Sequence, residues 1–144
     1  LSICEVPGHT PGSVVVLDER SNRLFTGDAI GSGYGVWMQT PTAVPLETYY
    51  ESLVHLLKWL VDRGGRMSFH GGHRYQMFQS THVPSFNPPS LGLLCDLIDL
   101  VDQIVHGKIV GRISNVDNIM ELEPVLYAAY GRAEIQYKAS NIRI

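Results

Sequence analysis

Charge is scarce in this chain of 144 residues: Asp, Glu, Lys and Arg together make up 17% of it, and the formal net charge is −3. Its basic residues lie scattered, with no cluster beyond Arg63/Arg66 and Arg143 near the end. A nucleic-acid binder needs a basic track to neutralise phosphates, so no nucleic-acid partner is expected. Cysteine is nearly missing too. Cys4 and Cys95 form no Cys-x-x-Cys pair and stand far apart, which points to a reducing, cytoplasmic compartment, with a single disulfide as the alternative. No apolar run approaches the roughly 18 residues that span a bilayer, so no membrane is expected. The first residues lack the basic flank and apolar core of a signal peptide. There is no internal repeat and no low-complexity segment.

A hydrophobic content of 44% makes the chain globular rather than disordered. Its length suits one domain, which buries roughly 68–70% of its unfolded surface. Leu1 is not an initiator methionine, and Ser2-Ile3-Cys4-Glu5-Val6 reads as the tail of a strand already under way. The expectation is a chain cut from a longer one, which the length of the parent gene would test.

Val14 to Leu17 is a β-branched run, Asp18 to Asn22 supplies turn chemistry, and Arg23-Leu24-Phe25-Thr26 returns, which predicts a hairpin. Gly31 to Gly35 is too rich in glycine for a regular element. It is not a phosphate loop, because no Gly-Lys-Ser/Thr follows. A helix is predicted from Pro45 to Arg63, with Val54, Leu57, Leu60 and Val61 on its apolar face, Leu53 and Leu56 broadening it, and Gly64-Gly65 stopping it. Met67-Ser68-Phe69 reads as a short strand. Ser90 to His106 is a second helix, in which Leu91, Leu94, Ile98, Val101 and Val105 keep helical spacing and Asp96, Asp99 and Asp102 mark the wet side. Residues 134 to 139 alternate as a half-buried strand does, and a late edge strand is expected there.

Three places carry chemistry. His9 lies within Pro7-Gly8-His9-Thr10-Pro11-Gly12-Ser13, where prolines fix the approach and exit and glycines allow tight turning. Asp28 ends an apolar strand directly after Gly27. Alone it reads as a cap or turn residue; together with His9 it becomes a candidate ligand. His70 and His73, in His70-Gly71-Gly72-His73, compete for a third position. His73 lies beyond the strand end and is preferred, leaving His70 as a residue behind the ligands or a packing residue. Imidazole nitrogens and a carboxylate suit zinc and similar divalent ions. His55 lies in the helix beside Glu51 and Trp59 at four-residue spacing and reads as a surface or packing residue, and His82 and His106 have no motif around them. Tyr34 and Trp37, with Met38, follow Asp28 closely and are candidate substrate-pocket residues by position; covering the helix layer is the alternative.

In order and spacing, Pro-Gly-His-Thr-Pro-Gly-Ser, then Leu-Phe-Thr-Gly-Asp, then a helix and a strand leading to Gly-His, resemble the metallo-β-lactamase fold superfamily over residues 3 to 75, and more loosely to 106. The resemblance implies an α/β fold of the α+β kind: the C-terminal half of an αββα sandwich, with a mixed or antiparallel sheet covered by two main helices. Residues 1–144 would form one domain, with 1–106 as the half-fold core and 107–144 as a C-terminal extension. It implies a hydrolase, usually with two zinc ions, although iron and manganese also occupy such sites. His9 would bind the first metal and His73 the second. Asp28 would bridge both as the catalytic carboxylate. In such an enzyme a metal-bound hydroxide attacks an ester, thioester, lactam or phosphoester of a small molecule.

The family's His-x-His-x-Asp-His motif is missing here. Each metal would keep only two protein ligands, against the three usual at catalytic zinc, so the chain alone is expected to be inactive and to bind zinc weakly at best. The alternative is a non-catalytic, truncated domain acting as a binding or dimerisation module. Half a sandwich leaves an apolar sheet face open, so a homo-oligomer is expected when the chain is isolated.

Overall fold

Alternation of apolar and polar residues sets the first elements. The computed structural model describes residues 1–31, 35–73, 88–114 and 123–143. Strands β1 (Ser2–Glu5), β2 (Val14–Asp18) and β3 (Arg23–Gly27) form an antiparallel meander, and β5 (Ser68–Gly71) adds to β3 in parallel. The β2–β3 turn is the expected hairpin: Asp18 accepts from the Arg20 N–H and the Ser21 hydroxyl, and Asn22 takes φ 51°. One face of this sheet buries Cys4, Val15, Leu17, Leu24 and Thr26. The opposite face carries the cross-strand row Ile3–Val16–Phe25–His70.

Helix α1 (Leu46–Val61) follows β4 (Val36–Trp37), and α2 (Leu91–Val105) follows β5. The Ser90 hydroxyl caps α2 by accepting from the Leu93 N–H at 3.1 Å. The α1 stripe differs from the one expected. Leu46, Tyr49, Leu53, Leu56 and Leu60 are buried, whereas Val54 and Val61 are 41% and 58% exposed. The buried set steps by three and four residues from the first turn onward, and Tyr49 belongs to it. In α2 the expected Leu94, Val101 and Val105 are buried, joined by Leu93, Leu97, Leu100 and Ile104. That wide apolar surface is needed because α2 packs against α1 on one side and against later strands on the other.

Those later strands make a second sheet: β6 (Arg112–Ile113), β7 (Leu126–Tyr130) and β8 (Ala133–Tyr137), with β4 from the first half, in the order β4-β8-β7-β6. Among the described residues the fold is α+β, with two main helices and two mixed sheets of four strands. The expectation of an edge strand at 134–139 is corrected, because β8 lies between β4 and β7 and both its flanks are paired. Ala133, Ile135 and Tyr137 join one core with residues of the first sheet and both helices. The Arg132 guanidinium ties the β7–β8 turn to Asp96 on α2 at 3.1 Å. Asn141, in a 3-10 turn (Ala139–Asn141), donates to the carbonyls of Met38 and Val44. The tail therefore frames the segment that follows β4. Among the described residues no helix is long and apolar enough to cross a membrane.

Leu56→Ala should lower unfolding free energy by about 2–5 kcal/mol, while Val54→Ala should stay within about 1 kcal/mol. Urea denaturation of the two variants checks which face of α1 is the core.

Candidate metal centre

Topology alone gathers the three chemistry-bearing segments. β1 runs to one edge of the first sheet and β2 starts from it. β3, antiparallel to β2, ends at that edge, and β5, parallel to β3, ends there too. The His9 loop, Asp28 and His73 are thus all delivered to one border, where loops present reactive groups.

Two glycines bring Asp28 and His73 into contact. Gly27 turns with φ 51°, and the register of β3 on β5 shifts between Phe25 and Gly27. Thr26, at that irregularity, is buried, and its hydroxyl donates to the His70 carbonyl at 3.3 Å. The Gly72 N–H then donates to the Gly27 carbonyl at 3.3 Å, and a Cβ on Gly72 would lie 3.2 Å from Gly27 Cα. The next residue on each side is the ionisable one, and His73 Nε2 lies 3.3 Å from Asp28 Oδ1. Both side chains are partly open to solvent.

His9 sits in a self-closing loop. The Val6 N–H donates to the Ser13 carbonyl, the Gly8 N–H to the Thr10 carbonyl, and the Thr10 and Ser13 hydroxyls lie 2.9 Å apart. Nδ1 of His9 is 2.6 Å from the Trp37 carbonyl oxygen. A carbonyl can only accept, so Nδ1 carries the proton, and in the neutral ring Nε2 keeps its lone pair for a cation or a proton. Carbonyl-anchored imidazoles of this kind are well prepared as ligands. The three side chains do not, however, close into one set. Among the described residues no group of three His, Cys, Asp or Glu side chains is placed to hold a metal ion. Asp28 and His73 are brought together; His9 is held at the same border but turned to Trp37.

His70 points elsewhere. Its ring lies 5.4 Å from that of Phe25, and its Nε2 meets the Ser68 hydroxyl at 3.1 Å, on the sheet face rather than the edge. Trp37 is 42% exposed, whereas Met38 is fully buried and belongs to the core. Tyr34 and His82 lie outside the described residues. Sequence reasoning missed Gln39 and Gln136, whose buried amide oxygens have no hydrogen-bond donor among the described residues. Gln136 is the register partner of Trp37. Such acceptors call for a donor from water or a ligand, and no sequence signal marks them. Comparison with protein-family models, with curated proteins and with solved structures gives no match.

Gly72→Ala should force the two turns apart, because backbone rather than a flexible side chain occupies the space. The expected outcome is loss of the Asp28–His73 contact with the fold kept. It would be read as a shift of the His73 ring signals by NMR beside an unchanged far-UV circular dichroism spectrum.

Proposed function

We propose that this chain carries part of the metal centre of a hydrolase of the metallo-β-lactamase fold superfamily. The observation that supports this most is the pairing of Asp28 Oδ1 with His73 Nε2 at 3.3 Å, beyond the ends of two parallel strands. A carboxylate oxygen and an imidazole nitrogen facing each other share a proton, or a divalent cation replaces that proton. The donor chemistry fits zinc, and iron or manganese as well. The donor count falls short: two converging side chains and a neighbouring His9 do not make the three protein ligands of a catalytic zinc. A bound metal would supply Lewis acidity and activated water for an ester, thioester, lactam or phosphoester of a small molecule. The chain's own residues contribute the anionic donor at Asp28, the neutral donor at His73, and a pre-set imidazole at His9. Remaining donors must come from elsewhere, and the chain alone is proposed to be inactive. A cytoplasmic location belongs to this reading, supported by the free thiols of Cys4 and Cys95.

Calorimetric titration with zinc should show weak binding that Asp28→Asn and His73→Ala abolish, that His9→Ala also removes, and that His82→Ala leaves alone. Two tightly held zinc ions per chain would refute the incomplete donor set. Absence of any zinc uptake at millimolar concentration would end the metal reading.

A second reading, a non-catalytic association module, is favoured by the first sheet's outer face. Ile3 and Phe25 are 65% and 45% exposed, in line with Val16 and beside Val14. A two-fold pairing sets such an apolar row against its own copy, so a second copy of this chain is the proposed occupant. Sedimentation should show dimers that Phe25→Glu dissociates; a monomer at high concentration would count against it.

A further inference from the structure

We propose that Tyr49 is the positioning residue that fixes the His9 loop and the Asp28 loop relative to each other, through two separate contacts of one side chain. The inference rests on the metal-centre reading for its purpose, and on the following geometry for its substance. Tyr49 lies in the second turn of α1 and is fully buried. Its hydroxyl donates to the carbonyl of Ala29, the residue after Asp28, at 2.7 Å. Its ring occupies the place where a side chain on Gly8, the residue before His9, would stand: a Cβ there would come within 2.5 Å of Tyr49 Cε2.

The remaining contacts of each loop turn these touches into constraints. The Ala29 N–H donates to the Thr26 carbonyl at 3.0 Å, so the turn that holds Asp28 is closed on itself, and the tyrosine hydroxyl ties that closed turn to the helix. The Gly8 carbonyl accepts from the Val44 N–H at 3.0 Å, which presses the His9 loop down onto the ring. Burial pushes the phenol well above its ordinary range, so it remains a donor at every working pH. Phenylalanine would fill the same core volume. What the hydroxyl adds is a bond to one particular carbonyl, next to the carboxylate of the site.

The two contacts can be cut one at a time in the full, metal-free chain. Tyr49→Phe removes the hydroxyl and keeps the ring; Gly8→Ala keeps the hydroxyl and displaces the ring from the His9 side. Leu94→Val, in the α2 core, serves as a comparison for stability loss alone. The side-chain nitrogens of 15N-labelled histidines are read by NMR, and cobalt(II) affinity is read from its visible absorption. Tyr49→Phe should move the His73 ring signals and weaken cobalt(II) binding at least about tenfold, the scale of losing a residue that orients a ligand. Gly8→Ala should move the His9 signals. Leu94→Val should do neither. Ring signals and affinity in both site variants matching Leu94→Val would overturn the proposal. If Tyr49→Phe does not fold, unmoved His9 signals in Gly8→Ala overturn it, and moved ones support it. If the unaltered chain takes up no cobalt(II), the metal reading fails by itself, while the imidazole signals still decide whether Tyr49 positions the loops.

Discussion

Parallel pairing of β3 with β5 is the constraint on which the candidate site depends. An antiparallel partner would have carried residues 72 and 73 to the far border of the sheet. The parallel one ends where β3 ends, and the register step at Thr26 aligns Gly27 with Gly71. The chain needs the whole of α1 to return for this pairing, since a parallel neighbour requires a long crossover. The helix that makes the return is also the one that buries Tyr49 beneath both loops. A single topological choice thus sets the approach of Asp28 to His73 and supplies the residue that braces Asp28 against the His9 loop.

Much of this was legible in the residues. Turn chemistry at 18–22 marked the hairpin, and glycines beside Asp28 and His73 marked strand ends, where a Cβ on Gly72 would press to 3.2 Å from Gly27 Cα. The α1 stripe was misread for a definite reason. Residues 53 to 61 hold so many apolar side chains that two overlapping helical series exist, and periodicity alone does not choose between them. Leu46 and Tyr49 in the first two turns extend one series and not the other. Residues 134 to 139 alternate much as an edge strand does, yet β8 is interior, because its second neighbour, β4, is only two residues long and comes from about 100 positions earlier. Nothing in a two-residue strand announces itself in sequence. The orphan acceptors on Gln39 and Gln136 are likewise a product of packing, not of pattern.

The tail has more influence on the site than its position in the chain suggests. β8 pairs with Val36 and Trp37, and Asn141 holds the carbonyls of Met38 and Val44. These contacts fix the Trp37 carbonyl, which in turn decides which nitrogen of His9 carries the proton. A side amide near the end of the chain is therefore connected to the tautomer of an imidazole near its start through two backbone segments. Part-buried polar contacts of this sort add modestly to stability and help to fix one geometry.

The donor shortage at the edge and the apolar row on the face belong to the same sheet, and on the proposed reading they have a common remedy. A β layer that covers Ile3, Val16 and Phe25 lies against the sheet whose strands β3 and β5 lead into Asp28 and His73. Residues offered by that layer would complete the ligand set while its apolar side chains leave water. The two events would then be linked: a cation held jointly favours the covered state, and covering raises affinity for the cation by the same factor. A second copy of the chain buries the row equally well but offers a border with the same two converging donors. Burial of the face therefore does not by itself separate the two readings, because a second copy adds the same two donors while a layer of different sequence adds others.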